Sequence, residues 1–551
     1  MEVSVIGSSQ VNLTKVNDTG FCNYSRSLNA KIWRLKNSNS KGCNFVRNRG
    51  LSFPSRSETG CSLRASASVQ TEALVSEKAS EMATTRPIDG VKLYVGLPLD
   101  TVSASNTLNH ARAIAAGLKA LKLLGVDGVQ LPLWWGIAEQ EAAGKYNWSG
   151  YRSVVEMIQN LNLELHISLN FHAPDEEYAV SLPQWINRIG ESDPSIFFTN
   201  RSGQQYKNCL SLAVDDLPVL DGKTPLEVYK CFFENFKSEF SPFFGSTIKS
   251  LSIGLGPDGE LRYPSNNHPS QTNSHLSAGE FQCYDKHMLL NLKNHAESHS
   301  NPLWGLGGPH DAPTHDQSPL SGNFFAEHGG SWETPYGDFF LSWYSGELER
   351  HGDQILSLAA STFSDSPVTL AGKLPLEHAW SNLRSHPSEL TSGFYNTANR
   401  DGYDDIVDIF ARNSCRMILP GMELSDEDFS GECRSGPGSL FDQIVSSCGR
   451  RGVGVSGQNL SPPPSSSLAG GGFRRIKENL LSENGVVDLF MYQRMGAYFF
   501  SPEHFPAFTQ FVRSLNQAAA AEQSSDDLPV EGAVSISSAV SGMNLQMQAT
   551  V

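Results

Sequence analysis

Basic residues are too scarce in this 551-residue sequence to favour a polyanionic partner. Lys and Arg number 42 against 58 Asp and Glu, which gives a formal net charge of -16. Nucleic acids and anionic membrane surfaces attract proteins with an excess of positive charge. No apolar run approaches the roughly 20 residues of a membrane span. We therefore expect no nucleic-acid partner and no membrane partner, and a neutral partner fits the charge better.

The nine cysteines do not form a recognisable metal site. No Cys-x-x-Cys pair and no Cys/His cluster with zinc spacing occurs among them. The sequence therefore predicts no metal and no cofactor. Three cysteines fall in the first 70 residues, and the other six are Cys209, Cys231, Cys283, Cys415, Cys433 and Cys448. We expect buried thiols, while an exposed pair used for redox control is the alternative.

Positive charge is concentrated at the N-terminus. Residues 1–70 contain ten Lys or Arg against three acidic residues, are rich in Ser and Asn, and lack a continuous apolar stretch. This composition is typical of an organellar transit peptide, and residues 61–67 resemble a plastid processing site. We therefore predict a transit peptide at 1–65, a linker at 66–89 and a chloroplast stromal location. A disordered basic tail without a targeting signal is the alternative.

From residue 91 onwards, short apolar strands alternate with longer amphipathic segments, a pattern that indicates parallel βα units. The predicted strands are 91–97, 128–133, 164–171, 248–255, 368–374, 416–419, 452–455 and 489–492. Eight such units predict an α/β fold of the (β/α)8 TIM-barrel type at 90–515, with long loops and the active site at the C-terminal strand ends. A doubly wound open sheet is the competitor, but no Gly-x-Gly-x-x-Gly follows the first strand.

Two segments outside the alternating pattern are predicted to be loose. Residues 516–551 have little apolar periodicity and are expected to form a disordered tail. The loop that contains Pro462, Pro463 and Pro464 is expected to be a solvated insertion. Partner binding by this proline-rich loop is the alternative.

Chemically suggestive residues follow the ends of the predicted strands. The apolar run 248–255 is followed by Glu260, which would place a carboxylic acid at the opening of a barrel. The strand at 452–455 leads instead to an amide, Gln458. Aromatic residues such as Trp134 stand near these ends, and flat rings suit sugar faces, although a lone Trp more often packs in a core.

Several long motifs resemble the plant beta-amylases and occur in the order found there. These motifs are 125–129 (Gly-Val-Asp-Gly-Val), 134–136 (Trp-Trp-Gly), 182–185 (Leu-Pro-Gln-Trp), 256–265 and 386–393. The resemblance covers residues 90–515. It implies a (β/α)8 barrel that releases maltose from the non-reducing ends of α-1,4-glucans with inversion of configuration.

An inverting glycosidase needs one carboxylic acid and one carboxylate base, about 6.5 to 9.5 Å apart. The resemblance assigns Glu260 as the proton donor and places Gln458 where the family has its proton acceptor. A glutamine side chain has no carboxylate to accept a proton from water. Glu423 is an alternative base, but its spacing to residues 435–437 aligns it with a non-catalytic glutamate of the family. The substrate-binding residues that the resemblance implies are His172, Lys373, His378, Asn459 and Arg494.

Further departures from the family pattern affect substrate contacts. Pro132 replaces an aspartate that binds the terminal glucose, and Pro420 replaces a threonine of a mobile loop. The glycine-rich lid after Phe171 and His172 is replaced by the shorter segment 173–178.

The sequence therefore predicts a catalytically impaired plastid homologue that acts as a regulator, glucan sensor or scaffold in starch breakdown. Its expected partners are an α-1,4-glucan or maltose and proteins of starch metabolism. An active 1,4-α-glucan maltohydrolase is the alternative. A third possibility, a nuclear homologue with a DNA-binding region, fits poorly because the basic leader is short.

Overall fold

Eight parallel strands close into a barrel in the computed structural model, which describes residues 91–174, 180–266, 277–315, 317–429, 434–460, 471–482 and 486–521. The strands are β1 (Lys92–Gly96), β2 (Gly128–Trp134), β3 (Glu164–Asn170), β4 (Phe197–Thr199), β5 (Gln205–Leu210), β6 (Ile248–Ile253), β7 (Thr369–Lys373), β8 (Arg416–Leu419), β9 (Val455–Gln458) and β10 (Val487–Tyr492). The order around the barrel is β1, β2, β3, β6, β7, β8, β9, β10 and back to β1. The predicted (β/α)8 fold class is therefore confirmed.

Helices connect the strands on the outside of the barrel. They are α1 (Ala111–Leu124), α2 (Trp135–Ala138), α3 (Ser149–Asn160), α4 (Gln184–Ser192), α5 (Pro225–Phe240), α6 (Lys286–Ser298), α7 (Pro335–Thr362), α8 (Pro387–Ser392), α9 (Asp404–Arg412), α10 (Pro437–Arg451), α11 (Phe473–Leu480) and α12 (Phe505–Ala521). None of the helices in these ranges is both long enough and apolar enough to cross a membrane.

Helix α5 shows how local sequence places a helix against the barrel. Thr224 and Glu227 form a capping box, and Pro225 occupies the first helical turn, where its missing N–H costs nothing. Phe232, Phe236 and other rings of the same face are buried. The helix therefore starts at a defined residue and packs through an aromatic face.

The seventh barrel strand begins later than its predicted start at residue 452. Gly452 adopts φ 70° and ψ 22° and caps the end of α10, a left-handed conformation that favours glycine. Strand β9 begins only at Val455, which pairs with Met417 of β8 and Val487 of β10. Gln458 is consequently the last residue of this strand rather than a residue beyond it.

A two-stranded antiparallel sheet formed by β4 and β5 was not predicted, nor was the short helix α8. The signal for α8 was present, because Pro387 begins this helix and Gly393 (φ 103°) caps its end. Strand β4 has only three residues and is joined to β5 by a turn, so periodicity alone does not separate this pair of strands from a loop.

Several predicted segments lie outside the described residues. These are the transit peptide at 1–65, the linker at 66–89, residues 175–178 of the shortened lid and the proline-rich loop at 461–470. The backbone of α12 continues to Ala521, and the rest of the predicted tail also lies outside.

The described cysteines are mostly internal. Cys209, Cys283, Cys415 and Cys448 are buried, and Cys231 is exposed. Burial raises the pKa of the Cys415 and Cys448 thiols to about 12. These two thiols are therefore protonated at neutral pH, as expected for packing rather than redox chemistry.

Candidate active-site cleft

A cleft of about 890 Å³ opens at the C-terminal ends of the barrel strands. Its walls include the last residues of five strands, which are Trp134, Asn170, Lys373, Gln458 and Tyr492. In a barrel of this type, the loops at these strand ends form the active site. The cleft is therefore the candidate functional site.

The cleft brings together six of the seven site residues predicted from the sequence. Those six are Glu260, Gln458, His172, Lys373, Asn459 and Arg494. His378 is not among the cleft-lining residues. Its Nδ1 lies 2.6 Å from Oγ of Ser435, and its ring packs against Phe429 with centroids 4.9 Å apart.

Glu260 is held between two cations. Its Oε1 lies 2.9 Å from Nζ of Lys373, and its Oε2 accepts a hydrogen bond of 2.8 Å from Nε of Arg262. Arg262 also contacts Oδ2 of Asp258 through Nη2 at 2.5 Å. The Glu260 and Arg262 side chains are only 12% and 8% exposed. The carboxyl group that the family resemblance assigns as proton donor is thus fixed in position at the cleft wall.

The turn before Glu260 depends on left-handed backbone. Asp258 has φ 55°, and Gly259 has φ 77°, a conformation that glycine adopts at no steric cost. The turn returns the chain to β7, where Leu261 donates its N–H to the carbonyl of Lys373 at 2.9 Å. Surrounding protein opposes ionisation of Asp258, but Arg262, His172 and Lys373 together keep the pKa of this carboxyl below its usual value.

Gln458 faces the cleft from the end of β9. The residue is 4% exposed, and its Nε2 contacts Sδ of Met491 at 3.6 Å. Thioether sulfur is only a weak hydrogen-bond acceptor. The position where the family resemblance implies a base therefore carries a neutral amide, whose partner among the described side chains is a thioether sulfur.

Three carboxylates line the cleft within the described part of the chain: Asp100, Asp258 and Glu260. Asp258 shares Arg262 with Glu260 and so lies on the same side. Asp100 follows β1 and accepts a hydrogen bond of 3.1 Å from Nδ2 of Asn109.

Glu423, the alternative base, is fully buried and is not a lining residue of the cleft. Its Oε1 accepts the N–H of Leu460 at 3.0 Å, and burial raises the pKa of Glu423 to about 7.

His172 is buried beside Trp134, with ring centroids 5.4 Å apart. Burial lowers the pKa of His172 to about 4, and its Nδ1 has no hydrogen-bond partner among the described residues. The ring is therefore neutral at pH 7 and can offer a hydrogen bond, but not a charge, to a ligand.

Asn459 has a structural role that was not predicted from the sequence. Its Nδ2 donates to the carbonyls of Gln493 at 2.8 Å and Leu460 at 2.7 Å, while its Oδ1 accepts the N–H of Gln493 at 2.7 Å. The amide therefore holds the turn after β10, immediately before Arg494, and much of its bonding capacity is already used.

Aromatic residues divide between the core and the cleft. Trp135 is fully buried, and its Nε1 donates to Glu139 at 2.6 Å. Trp134 lines the cleft although the residue is only 3% exposed, and its Nε1 donates to the carbonyl of Leu99 at 2.9 Å. Tyr498 lines the cleft and is 45% exposed. Trp134 and Tyr498 are thus the rings best placed against a ligand.

A chain of uncharged polar groups forms the cleft floor and was not predicted. Gln493 bonds to Gln130, whose Nε2 donates to Oγ of Ser168 at 2.7 Å. Ser252 donates to Ser168 at 2.8 Å, and Nε2 of His166 lies 2.9 Å from Oγ of Ser252. The available signal was polar residues at alternate positions of apolar strands, because alternate side chains of a barrel strand point inward.

His166 should make stability depend on pH. Burial lowers its pKa to about 3, whereas an unfolded histidine titrates near 6.5. Between these values the unfolded chain binds the extra proton, so stability is lost as the pH falls. When the pH falls from 7.5 to 5.0, we expect the free energy of unfolding of His166→Gln to decrease by roughly 2 kcal/mol less than that of wild type. Urea denaturation at the two pH values measures both decreases. The exposed His310→Gln variant is the control, and equal losses in all three proteins would contradict this assignment.

No group of three or more His, Cys, Asp or Glu side chains within the described ranges is arranged to hold a metal ion.

Comparison with known proteins gives consistent matches over the barrel. The model of glycosyl hydrolase family 14 matches residues 94–521. Inactive beta-amylase 9 of Arabidopsis thaliana is 58% identical over 487 residues, covering 88% of each chain. Beta-amylase 2, chloroplastic, of Oryza sativa subsp. japonica is 37% identical over 78% of each chain.

A solved structure supports the same architecture. The catalytic domain of beta-amylase from Paenibacillus polymyxa superimposes with a TM-score of 0.63 at 24% identity, over 78% of this chain and 99% of that chain. At this identity the likeness shows the fold. The family match and the sequence identities show more, and the chain belongs to glycosyl hydrolase family 14, the beta-amylase family.

Proposed function

We propose that this protein is a catalytically impaired beta-amylase homologue that acts in plastid starch breakdown by holding glucan rather than cutting it. The observation that carries this proposal is Gln458, a neutral amide at the position where an inverting glycosidase of this family is expected to have its base. Glu260 supplies the acid side of the pair, but water attack also requires a proton acceptor.

Two prolines weaken the substrate contacts further. Pro132 and Pro420 both line the cleft. Proline has no side-chain hydrogen-bonding group and no backbone N–H to donate. Under the family resemblance, a carboxylate and a hydroxyl are therefore missing from the same cleft as the base. The similarity to a relative named Inactive beta-amylase 9 supports this conclusion.

The remaining cleft favours a neutral carbohydrate. Trp134 and Tyr498 offer aromatic surface, and amide and hydroxyl groups line the floor. Such a mixture of rings and hydrogen-bonding groups matches an α-1,4-glucan or maltose. We propose that sugar occupancy is the signal by which the protein acts as a regulator, sensor or scaffold towards proteins of starch metabolism.

We further propose a plastid location. The basic, Ser-rich and Asn-rich composition of residues 1–65 supports a transit peptide. Relatives named chloroplastic beta-amylases support the same compartment.

The purified protein is expected to release maltose from soluble starch at least about 100-fold more slowly than an active beta-amylase. A single general acid or base contributes typically 10² to 10⁴-fold, and the base is absent here. Rice Beta-amylase 2, assayed under the same conditions by maltose quantification, is the reference. Turnover within about tenfold of that reference would overturn the proposal.

An active hydrolase is the second candidate, because Asp100 lines the cleft. In the barrel order, β1 and β9 each lie three strands away from β6, which precedes Glu260. Asp100, which follows β1, and Gln458, which ends β9, are therefore separated from the strand that precedes Glu260 by the same number of strands, in opposite directions around the barrel. If maltose is released, this candidate requires that Asp100→Asn and Glu260→Gln each abolish it.

A further inference from the structure

The amides of the cleft differ in how fully the protein itself satisfies them. Gln130 and Gln493 bond to each other, and Asn459 makes three bonds to neighbouring backbone groups. The side chain of Asn170 makes no hydrogen bond within the described part of the chain, and Gln458 contacts only the sulfur of Met491 there. Asn170 and Gln458 thus keep most of their hydrogen-bonding capacity for other partners.

Both of these amides are more than nine-tenths buried, with exposed fractions of 9% for Asn170 and 4% for Gln458. Both nevertheless line the cleft. Neither amide is among the fully enclosed side-chain atoms without a partner in the described part of the chain, so water or a ligand in the cleft can satisfy the unpaired atoms. The amide donors and acceptors of Asn170 and Gln458 that lack a protein partner therefore face the cleft rather than the protein interior.

Asn170 lies beside the acid-bearing turn. A Cβ added to Gly259 would meet Oδ1 of Asn170 and Cε1 of His172, each at 3.5 Å. Gly259 directly precedes Glu260, so the Asn170 amide, the neutral His172 ring and the acid face one region. His172 has its own unpartnered nitrogen there.

We propose that Asn170 and Gln458 bind hydroxyl groups of a neutral saccharide in this cleft, so that Gln458 serves as a ligand-binding group rather than as the remnant of a base. Each carboxamide offers both donors and an acceptor, which matches the dual character of a sugar hydroxyl. The cations of the acid-bearing turn are already paired with Asp258 and Glu260, which favours an uncharged ligand. This inference rests on the proposed glucan-holding function.

Isothermal titration calorimetry with maltose and with maltotetraose tests the proposal on the full-length chain. We expect Asn170→Leu and Gln458→Leu each to weaken binding of both sugars by roughly tenfold, the effect of losing a hydrogen bond of about 1.4 kcal/mol. Asn170→Ser, which keeps a smaller polar group, should show the same direction if the Leu variant does not fold.

Gln205→Leu is the matched control, because the Gln205 amide donates to the Pro194 carbonyl at 3.3 Å and does not line the cleft. Its sugar affinity should equal that of wild type. Wild-type affinity in folded Asn170→Leu and Asn170→Ser would overturn the role of Asn170 while leaving the glucan-holding function intact. Failure of the wild-type protein to bind either sugar would overturn both, and the maltose-release assay separately decides the loss of catalysis.

Discussion

Gln458→Glu alone is expected to leave maltose release at least about 100-fold below that of an active beta-amylase. The new carboxyl group would occupy a site that is 96% buried and whose described side-chain partner is the sulfur of Met491. Burial without hydrogen-bond donors raises the pKa of a carboxyl group, so it would be protonated or costly to ionise at neutral pH. A protonated carboxyl group cannot accept the proton of water.

The substrate contacts would also remain incomplete in this variant, because Pro132 and Pro420 still line the cleft. Positioning and acid–base chemistry act together, so restoring one group without the others recovers little rate. The measurement is maltose release from soluble starch, and Gln458→Leu sets the baseline for a chain without any base at this position. Activity of the Gln458→Glu protein within about tenfold of an active enzyme would show that the base alone was missing.

Arg262→Met is expected to lower the free energy of unfolding by about 3 kcal/mol. Arg262 is 8% exposed and contacts both Asp258 and Glu260. Removing one partner of a buried ion pair leaves a charge without compensation, which typically costs 3–5 kcal/mol. The lower figure applies because Asp258 is half exposed and Glu260 keeps Lys373.

Urea denaturation at pH 7.5 measures this loss. The matched control is Arg412→Met, because Arg412 pairs with Asp353 at the surface with a side chain 57% exposed. A surface pair of this kind contributes about 0–1 kcal/mol. Equal, small losses in both variants would contradict the claim that Arg262 holds the acid-bearing turn, and Arg262→Lys should recover part of the stability by restoring a positive charge.

The barrel was predictable because its signals are local. Strands of four to seven residues recur between amphipathic helices, and apolar residues such as Leu165, Ile167 and Leu169 occupy the alternate positions that pack in the core. All eight barrel strands were found for this reason. The start of β9 was misplaced because Gly452 is compatible with both a strand and a helix cap, and only pairing with β8 and β10 selects Val455 as the first strand residue.

The candidate site was only partly predictable. Glu260 and Gln458 stood out because the family resemblance specifies chemistry at their positions. His378 was grouped with the site on the same grounds, although the structure places it outside the lining of the cleft. Asn170 was missed because the predicted strand 164–171 extended past it, whereas β3 ends at Asn170, and a single polar residue inside a predicted strand carries no motif.

The sequence by itself determined the fold class and the identity of the side chain at the position where the family resemblance implies a base, since both follow from local pattern and side-chain chemistry. Tertiary structure alone decided which amides remain available to a ligand. Gln493 and Gln130 satisfy each other across 363 residues, and Asn459 and Gln493 across 34. Hydrogen-bond satisfaction and burial depend on such distant neighbours, which come together only when the barrel closes.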